Sequence, residues 1–306
     1  MASMKQIKKR KHSVESTGKI TKAMKLVATV KLQKTKQIAT DAVPYFDAMY
    51  EKITTVIKHS TVINHKYLKG NPSGKKAIVV FSSNKGLAGG YNSSIVKKLL
   101  GEEGELDFNP SNTLVYSIGS KVRDELQRKG FTIARDYSDG MEDIHYEPYV
   151  NIAREILGDF VDGKINEIYL VYTYFKNTIT HIPRILKLLP FDKVEKNTDD
   201  ETELLGKKTF EVAKSKYDDD EKMPMNYEMD EDELLNLMIP QYISTLLYGA
   251  LTAAIASENG ARMTAMDNAT KNAKELSDKL GVMYNRARQG AITQELTEIV
   301  AGANAI

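Results

Sequence analysis

The chain of 306 residues contains no cysteine and no tryptophan. The absence of cysteine excludes disulfides, zinc–thiolate sites and thiol nucleophiles. Its five histidines are scattered along the chain, which argues against a histidine metal cluster. No run approaches the roughly 18 apolar residues of a membrane span, and no apolar segment follows the first lysines as it does in a signal peptide. We therefore expect neither a membrane-spanning helix nor a signal peptide.

Recognisable catalytic motifs are also missing. The sequence has no Gly-x-Ser-x-Gly nucleophile elbow and no His-Glu-x-x-His zinc motif. Many of its carboxylates lie in the acidic runs "TDDETE", "DDDE" and "MDEDE" between residues 192 and 233. Such runs are usually solvated, so we do not expect them to hold a catalytic acid or base. The sequence therefore predicts no catalytic residue, no cofactor site and no metal site.

The stretch "SSNKGLAGGYNSS" (residues 82–94) is the most enzyme-like feature. A strand, a glycine-rich turn and a helix form the arrangement that binds phosphate at a helix N-terminus. Its glycine spacing matches neither the dinucleotide fingerprint nor the P-loop, and no acidic residue ends the second predicted strand to hold a ribose. A tight strand-to-helix turn is the preferred interpretation. The alternative is a nucleotide-binding enzyme or sensor that uses the Gly86–Gly90 turn.

Proline is absent from residues 1–43 and 241–306. Because proline breaks the interior of a helix, both ends of the chain can form long helices. The C-terminal segment alone could form about 95 Å of helix, which is more than a globular domain can bury within itself. We therefore predict two long helices that project from the rest of the fold.

Heptad spacing at both ends predicts a coiled coil. In the N-terminal segment the a/d interval connects Ile20, Met24, Val27, Lys31, Lys34 and Ile38. In the C-terminal segment it connects Ala269, Ala273, Leu276, Leu280, Met283 and Ala287. Lysines on one seam and alanines on the other do not suit a symmetric dimer. We predict instead that the two ends pair antiparallel within one chain.

The middle of the chain alternates between strands and helices. Strands are predicted at residues 75–83, 113–119, 131–135, 165–175 and 180–190, and a surface hairpin or loop at 192–226. This alternation predicts βαβ units and a mainly parallel sheet. The predicted fold class is α/β, with a long antiparallel coiled coil of the N- and C-terminal helices plus a Rossmann-like α/β domain in the middle. The domain bounds are 1–60 for the first helix, 75–230 for the α/β domain and 231–306 for the last helix.

The N-terminal segment is strongly basic, with eleven lysine and arginine residues in positions 1–40 against the single acid Glu15. A nucleic-acid arm usually keeps one face polar and carries aromatic residues that stack on bases. Here apolar residues are evenly interleaved, and no aromatic residue precedes Tyr45. A membrane-surface helix is a second alternative, although such a helix would normally carry tryptophan, phenylalanine or more leucine. Solvated surface is the plainest interpretation of the charge alone.

The stretch "SENGARMTAMDNATKNAKEL" (residues 257–276) has small residues on all sides of its predicted helix. A core helix would show a single apolar stripe. Small residues all round indicate a rod enclosed by a close-fitting surround. Longer polar side chains further along, such as Arg286, Arg288 and Gln289, fit either contacts with that surround or solvated surface.

Three segments closely resemble the γ subunit of F-type ATP synthases: "KITKAMKLVATVKL" (19–32), "SENGARMTAMDNATKNA" (257–273) and "YNRARQGAITQELTEIVAGANAI" (284–306). The turn "SSNKGLAGGYN" is similar to the family's "SDRGLCGGYN", with departures at Asn84, Lys85 and Ala88. The resemblance covers the whole chain in order. The acidic segment 195–222 is the part least like the family.

The resemblance implies a central rotor shaft that carries no catalytic residue of its own. The paired terminal helices would turn inside the hexamer of α and β subunits. The middle domain would lie at the foot, beside the ε subunit and the membrane-embedded c-ring, on the cytoplasmic face of the cell membrane. Proton flow (sodium ions in some members) turns the ring, and the shaft then biases each β subunit between nucleotide affinities. Membrane association is thus indirect, and no nucleic acid is involved.

The resemblance also assigns contact residues by motif. Lys19, Met24 and Lys25 would face the acidic helical tip of a β subunit. The C-terminal helix would make further polar contacts with the head through Arg262, Arg288, Gln289, Thr293 and Glu295. Residues 299–306 would lie in the head's bearing sleeve. Tyr227 and Glu228 would approach the c-ring, although Met229 replaces the family's proline there.

Overall fold

The computed structural model describes residues 4–59, 65–101, 106–139, 144–190 and 230–303. The helices are α1 (Met4–His59), α2 (Tyr91–Leu100), α3 (Ser120–Arg128), α4 (Glu147–Val161) and α5 (Glu231–Ala303). The strands are β1 (Lys75–Phe81), β2 (Thr113–Ile118), β3 (Thr132–Asp136), β4 (Ile165–Phe175) and β5 (His181–Leu189). The predicted fold class, α/β with long terminal helices, is confirmed. The predicted loop at 192–226 lies outside the described residues.

The chain divides into two compact units. Met1–Val30 and Arg262–Ile306 form the first, which we call the coil unit. Lys31–Ala261 forms the second, which we call the sheet unit.

In the coil unit, α1 and α5 pack against each other in antiparallel directions. Their contacts run in opposite sequence order: Glu15 with Ser277, Thr21 with Thr270, and Lys25 with Asp267. The side chains of α1 that turn inward recur at alternating intervals of four and three residues: Ile7, Lys11, Val14, Gly18, Thr21, Lys25 and Ala28. On α5 the same interval connects Met266, Thr270, Ala273, Ser277, Leu280, Tyr284 and Ala287.

The heptad frame predicted for α1 is therefore wrong, although the antiparallel pairing is right. Ile20 and Val27, which the prediction placed on the inner seam, are 60% and 59% exposed. The middle of the real seam uses small residues such as Gly18 and Ala273, because the two backbones come close together there. A Cβ atom built on Gly18 would lie 3.3 Å from the Cβ of Ala273. On α5 the predicted and observed seams share only Ala273, Leu280 and Ala287.

The sheet unit contains one five-stranded sheet in the order β3-β2-β1-β4-β5. The first four strands are parallel, and β5 pairs antiparallel with β4. The central strand β1 is a run of buried apolar residues, as expected for a strand covered on both faces. Ile78 and Val80 pack with α2 and α3 on one face. Val79 and Phe81 pack with α4 and the first part of α5 on the other.

Proline does not end either long helix. Pro44 lies within α1 and Pro240 lies within α5, so α5 begins at Glu231. Around Pro240, the neighbouring Ile239 and Ile243 are fully buried in the core. Tertiary packing of this kind supplies most of the stability of a helix in a protein and offsets the lost hydrogen bond. The absence of proline marked residues 1–43 and 241–306 as able to form helices, whereas the predicted helix bounds of 1–60 and 231–306 already included Pro44 and Pro240.

One described helix, α5, is long and apolar enough to pass the length and composition test for a membrane span. However, 56% of its apolar window is buried inside the protein. Core helices of folded domains share this property.

Candidate functional site

The three α1 residues that the resemblance singled out differ in their surroundings. Lys19 is exposed and Met24 is half-buried. Lys25 instead extends across to α5, where its Nζ atom donates a hydrogen bond of 2.6 Å to Oδ1 of Asp267. The two side chains are 40% and 31% exposed, so the ion pair lies at the rim of the helix interface.

Asp267 was not among the predicted contact residues. It lies between two cations, because Lys271 also contacts its other oxygen at 2.9 Å one turn further along α5. Hydrogen bonds from Lys25 and then from Lys271 lower the pKa of the Asp267 carboxyl to about 2. The i,i+4 spacing of Asp267 and Lys271 is visible in the sequence. The partnership with Lys25 depends on the register of the two helices and was not visible.

The outer face of α1 carries large apolar side chains that nothing in the coil unit covers. Ile20, Leu26, Val27 and Val30 are all exposed, and the exposed Lys19 lies among them. We call these five residues the outer stripe. A contiguous apolar stripe with a basic residue is typical of an interaction surface.

The last turns of α5 form a second exposed region. Every residue from Arg288 to Ala303 is exposed, including the predicted contact residues Gln289, Thr293 and Glu295. Thr293 donates its hydroxyl to the carbonyl of Gln289 at 2.9 Å, within the same helix. The apolar residues of this stretch are equally uncovered: Ile292, Leu296, Ile299 and Val300.

The predicted contact residues thus fall into two regions rather than one. The first region lies near Asp267, which pairs with Lys25, and the second begins at Arg288. About 30 Å of helix separates Asp267 from Arg288. Arg262 is half-buried and lies closer to the first region. Tyr227 and Glu228 lie outside the described residues.

The glycine turn after β1 is held by hydrogen bonds to other groups of the chain. The amide groups at the start of α3 are already bonded to this turn. Ser120 N–H donates to the Asn84 side chain (2.9 Å), and Lys121 N–H donates to the carbonyl of Ser83 (3.1 Å). At the start of α2, the helix that directly follows the turn, Tyr91 N–H donates to the Ala88 carbonyl at 3.2 Å, so one of the donors that a phosphate would need there is also bonded within the chain.

Side chains of the turn also bond to one another. Asn92 donates its amide to the Ser83 hydroxyl at 2.7 Å and accepts the Ser83 backbone N–H at 3.1 Å. Leu87, at the exposed tip, has a φ of 64°, in the left-handed region that side chains rarely adopt. Among the residues that the structure describes, no group of three or more histidine, aspartate or glutamate side chains could hold a metal ion. The arrangement fits a braced turn better than a nucleotide site.

The family model for ATP synthase matches residues 3–306 of this chain. An ATP synthase gamma chain from Lachnoclostridium phytofermentans is 50% identical over 307 residues, covering all of both chains. The chain belongs to the ATP synthase gamma-chain family. A sodium-ion-specific gamma chain from Acetobacterium woodii is 38% identical, covering 98% of this chain and 97% of that one.

Solved structures share the fold of this gamma-family chain at lower identity. A chain of the Euglena gracilis mitochondrial ATP synthase superposes with a TM-score of 0.61 at 16% identity, covering 99% of this chain and 94% of that one. A chain from the central stalk and c-ring of the Tetrahymena thermophila mitochondrial enzyme gives 0.53 at 22% identity, with coverages of 82% and 99%. The predicted fold class, α/β with long terminal helices, is thereby supported by solved structures as well.

Proposed function

We propose that this chain is the central rotor shaft of an ATP synthase. It turns inside a hexamer of α and β subunits and couples ion-driven rotation of the c-ring to ATP synthesis or hydrolysis. The observation that carries the proposal is the 50% identity with an ATP synthase gamma chain over the full length of both chains. The antiparallel helix pair of the coil unit, with uncovered outer surfaces, supports it.

The chain supplies mechanical contacts and no catalytic group. The turn at Gly86–Gly90 was the candidate for nucleotide binding, and its Ser83, Asn84 and Asn92 bond to neighbouring groups of the chain. A phosphate would have to displace these bonds.

The outer stripe is the surface that meets the β subunits. An exposed apolar stripe with the cationic Lys19 suits a helical tip that is acidic and partly apolar. Met24 lies between this stripe and the inner seam, so its side chain reaches the same partner. Lys25 is bonded to Asp267 and contributes to the contact with less free charge than Lys19.

The exposed end of α5 lies in the upper part of the head. Its polar residues Arg288, Gln289, Thr293 and Glu295 bond to the surrounding subunits, and Arg262 does so nearer to the outer stripe. The apolar residues from Ile299 onward run in a sleeve of apolar side chains, where rotation breaks no directional bonds.

The α/β domain predicted at residues 75–230, which lies within the sheet unit, faces the ε subunit and the c-ring. Tyr227 and Glu228 contact the ring loops, so the chain is a peripheral protein on the cytoplasmic face of the membrane.

Co-purification tests the function directly. Tagged α and β subunits should retain this chain in a complex with sustained, rotation-dependent ATPase activity. Equilibrium dialysis of the isolated chain with ATP, ADP and NAD provides the contrary test. Saturable micromolar nucleotide binding together with no retention by α and β would overturn the proposal.

A further inference from the structure

The middle of the coil unit is joined by three polar contacts between the helices. The atoms and distances are Ser277 Oγ to Glu15 Oε1 (3.2 Å), Thr21 Oγ1 to Thr270 Oγ1 (2.7 Å) and Lys25 Nζ to Asp267 Oδ1 (2.6 Å). All three belong to one antiparallel register. We call this set of six residues the clasp.

The inner seam beside the clasp has few large apolar side chains that could set the register. Between Val14 and Ala28 the inward positions of α1 hold Gly18, Thr21 and Lys25, and none of these is a large apolar knob. In coiled coils, register is set by interdigitating large side chains or by a buried polar pair. The buried Met266 and Leu280 of α5 lie at either end of this stretch. Between them, the polar contacts and the close approach of Gly18 to Ala273 distinguish one register from another.

A slip of one heptad in either direction removes the clasp. In one direction Lys25 would face Lys274, which places two like charges together. In the other direction Lys25 would face Gly260, which has no side chain. The close approach of Gly18 to Ala273 would also be lost, because Gly18 would then face Leu280 or Met266.

We propose that Asp267 is the positioning residue that fixes the axial register of α1 against α5, acting through Lys25. The ion pair with Lys25 is the contact that discriminates most between registers, since a slip replaces attraction by repulsion or by no contact. Lys271 holds the Asp267 carboxylate from its own helix and makes no contact with α1 in the clasp.

The absence of native cysteine makes the register directly measurable in the full chain. A Gly18→Cys/Ala273→Cys variant reports the native register, because the Cβ atoms would be separated by close to the roughly 3.5–4.5 Å of a disulfide. Gly18→Cys/Leu280→Cys and Gly18→Cys/Met266→Cys report the two slipped registers. All three reporters carry the same Gly18→Cys change, so its effect on the stability of the helix pair is the same in each.

The proposal predicts how each reporter responds to loss of the ion pair. With Lys25 and Asp267 intact, only the native pair should cross-link rapidly. Lys25→Gln or Asp267→Asn should slow the native cross-link by about two- to fivefold, the range expected for an exposed ion pair, and raise the yield of a slipped pair. Lys271→Gln is the matched control and should leave the register unchanged. The charge-inverted Lys25→Glu/Asp267→Lys/Lys271→Glu variant should restore the native cross-link.

Two results would overturn the proposal. One is unchanged rates for all three reporters in Lys25→Gln and Asp267→Asn, which would assign the register to packing alone. The other is an equal fall in all three rates with a loss of helical circular dichroism, which would assign the ion pair to helix stability. The assay needs no partner subunit, so its outcome is independent of the proposed rotor function.

Discussion

Gly260 of α5 lies directly against the imidazole ring of His181 at the start of β5. A Cβ atom built on Gly260 would be 2.7 Å from Nε2 of His181 and 3.2 Å from the ring of Phe175. Glycine at this position lets the helix approach the hairpin of β4 and β5. One turn earlier, Ser257 donates its hydroxyl to the carbonyl of Thr173 at 3.0 Å.

Gly260→Ala should therefore destabilise the isolated chain by about 1 kcal/mol in urea unfolding. Overpacking a buried contact lowers the free energy of unfolding by roughly 1–3 kcal/mol. The better helix propensity of alanine offsets about 1 kcal/mol of this loss. Gly158→Ala in α4 is the control, because a Cβ there meets nothing within 4 Å. It should stabilise the chain by up to about 1 kcal/mol. Equal stabilisation by both changes would show that the hairpin moves aside freely.

Acid should destabilise the sheet unit through the buried His65 and the half-buried His181. Burial lowers the pKa of both His65 and His181, because it disfavours the charged imidazolium. Once the pH falls below about 6.5, the unfolded chain binds more protons than the folded chain. The free energy of unfolding therefore decreases as the pH falls below about 6.5, whereas at higher pH the two neutral histidines cost no stability.

Urea unfolding at pH 8, 7 and 6, where carboxylates remain ionised, measures this effect. In His181→Gln, the free energy of unfolding should fall less between pH 7 and pH 6 than it does in the parent chain. His12→Gln, on the exposed surface of α1, is the control for loss of a histidine and should keep the slope of the parent chain. A parent chain that is as stable at pH 6 as at pH 8 would contradict the prediction.

The sheet could be predicted from the sequence, but the inner seam of the coil could not. Ile78, Val79 and Val80 form a continuous buried run, which identifies a strand covered on both faces without any knowledge of its partners. Ile20 and Val27 fit a heptad seam because they are large and apolar, but they lie on the outside of the helix pair. The sequence does not distinguish apolar residues of an inner seam from apolar residues of an exposed face.

The contact residues were assigned only through family motifs and stay a prediction. The resemblance placed Lys25 at a contact with another subunit, whereas in the structure its Nζ atom is bonded to Asp267. The pairing depends on where two segments more than 240 residues apart meet. Local pattern carries no information on such a meeting point.

Leu87 at the tip of the glycine turn holds a strained backbone conformation without compensating burial, since 62% of the residue is exposed. Leu87→Gly should stabilise the isolated chain by about 0.5–1 kcal/mol, because glycine adopts a positive φ without strain. Gly89→Ala, at a φ of 57°, should have the opposite effect. Urea unfolding measures both. A loss of more than about 1 kcal/mol in Leu87→Gly would mean that the leucine side chain supports the turn.

Met24→Lys should change coupling without unfolding the chain. Met24 is half-buried beside the outer stripe, so a long lysine can reach solvent or the proposed β contact while its stem stays packed. In the assembled enzyme, ions pumped per ATP hydrolysed should fall, while the circular dichroism of the isolated chain stays the same. Met24→Leu, which nearly conserves volume, is the control and should keep full coupling. Tight coupling in Met24→Lys would show that Met24 does not face the moving subunit.

Ala287→Pro should break α5 at the half-buried end of the inner seam, where burial supports the helix less than in the core. Proline costs roughly 3 kcal/mol in a helix interior, and at Pro240 this cost is offset because Ile239 and Ile243 are buried in the core. Around Ala287 the neighbouring residues Arg286 and Arg288 are exposed, so no such burial compensates. The variant should lose helical circular dichroism and assembly with α and β subunits. Ala287→Gly, which costs only about 1 kcal/mol and keeps the backbone donor, should still assemble. Normal ATP synthesis by the proline variant would show that the proposed rotor does not require an unbroken α5 beyond this residue.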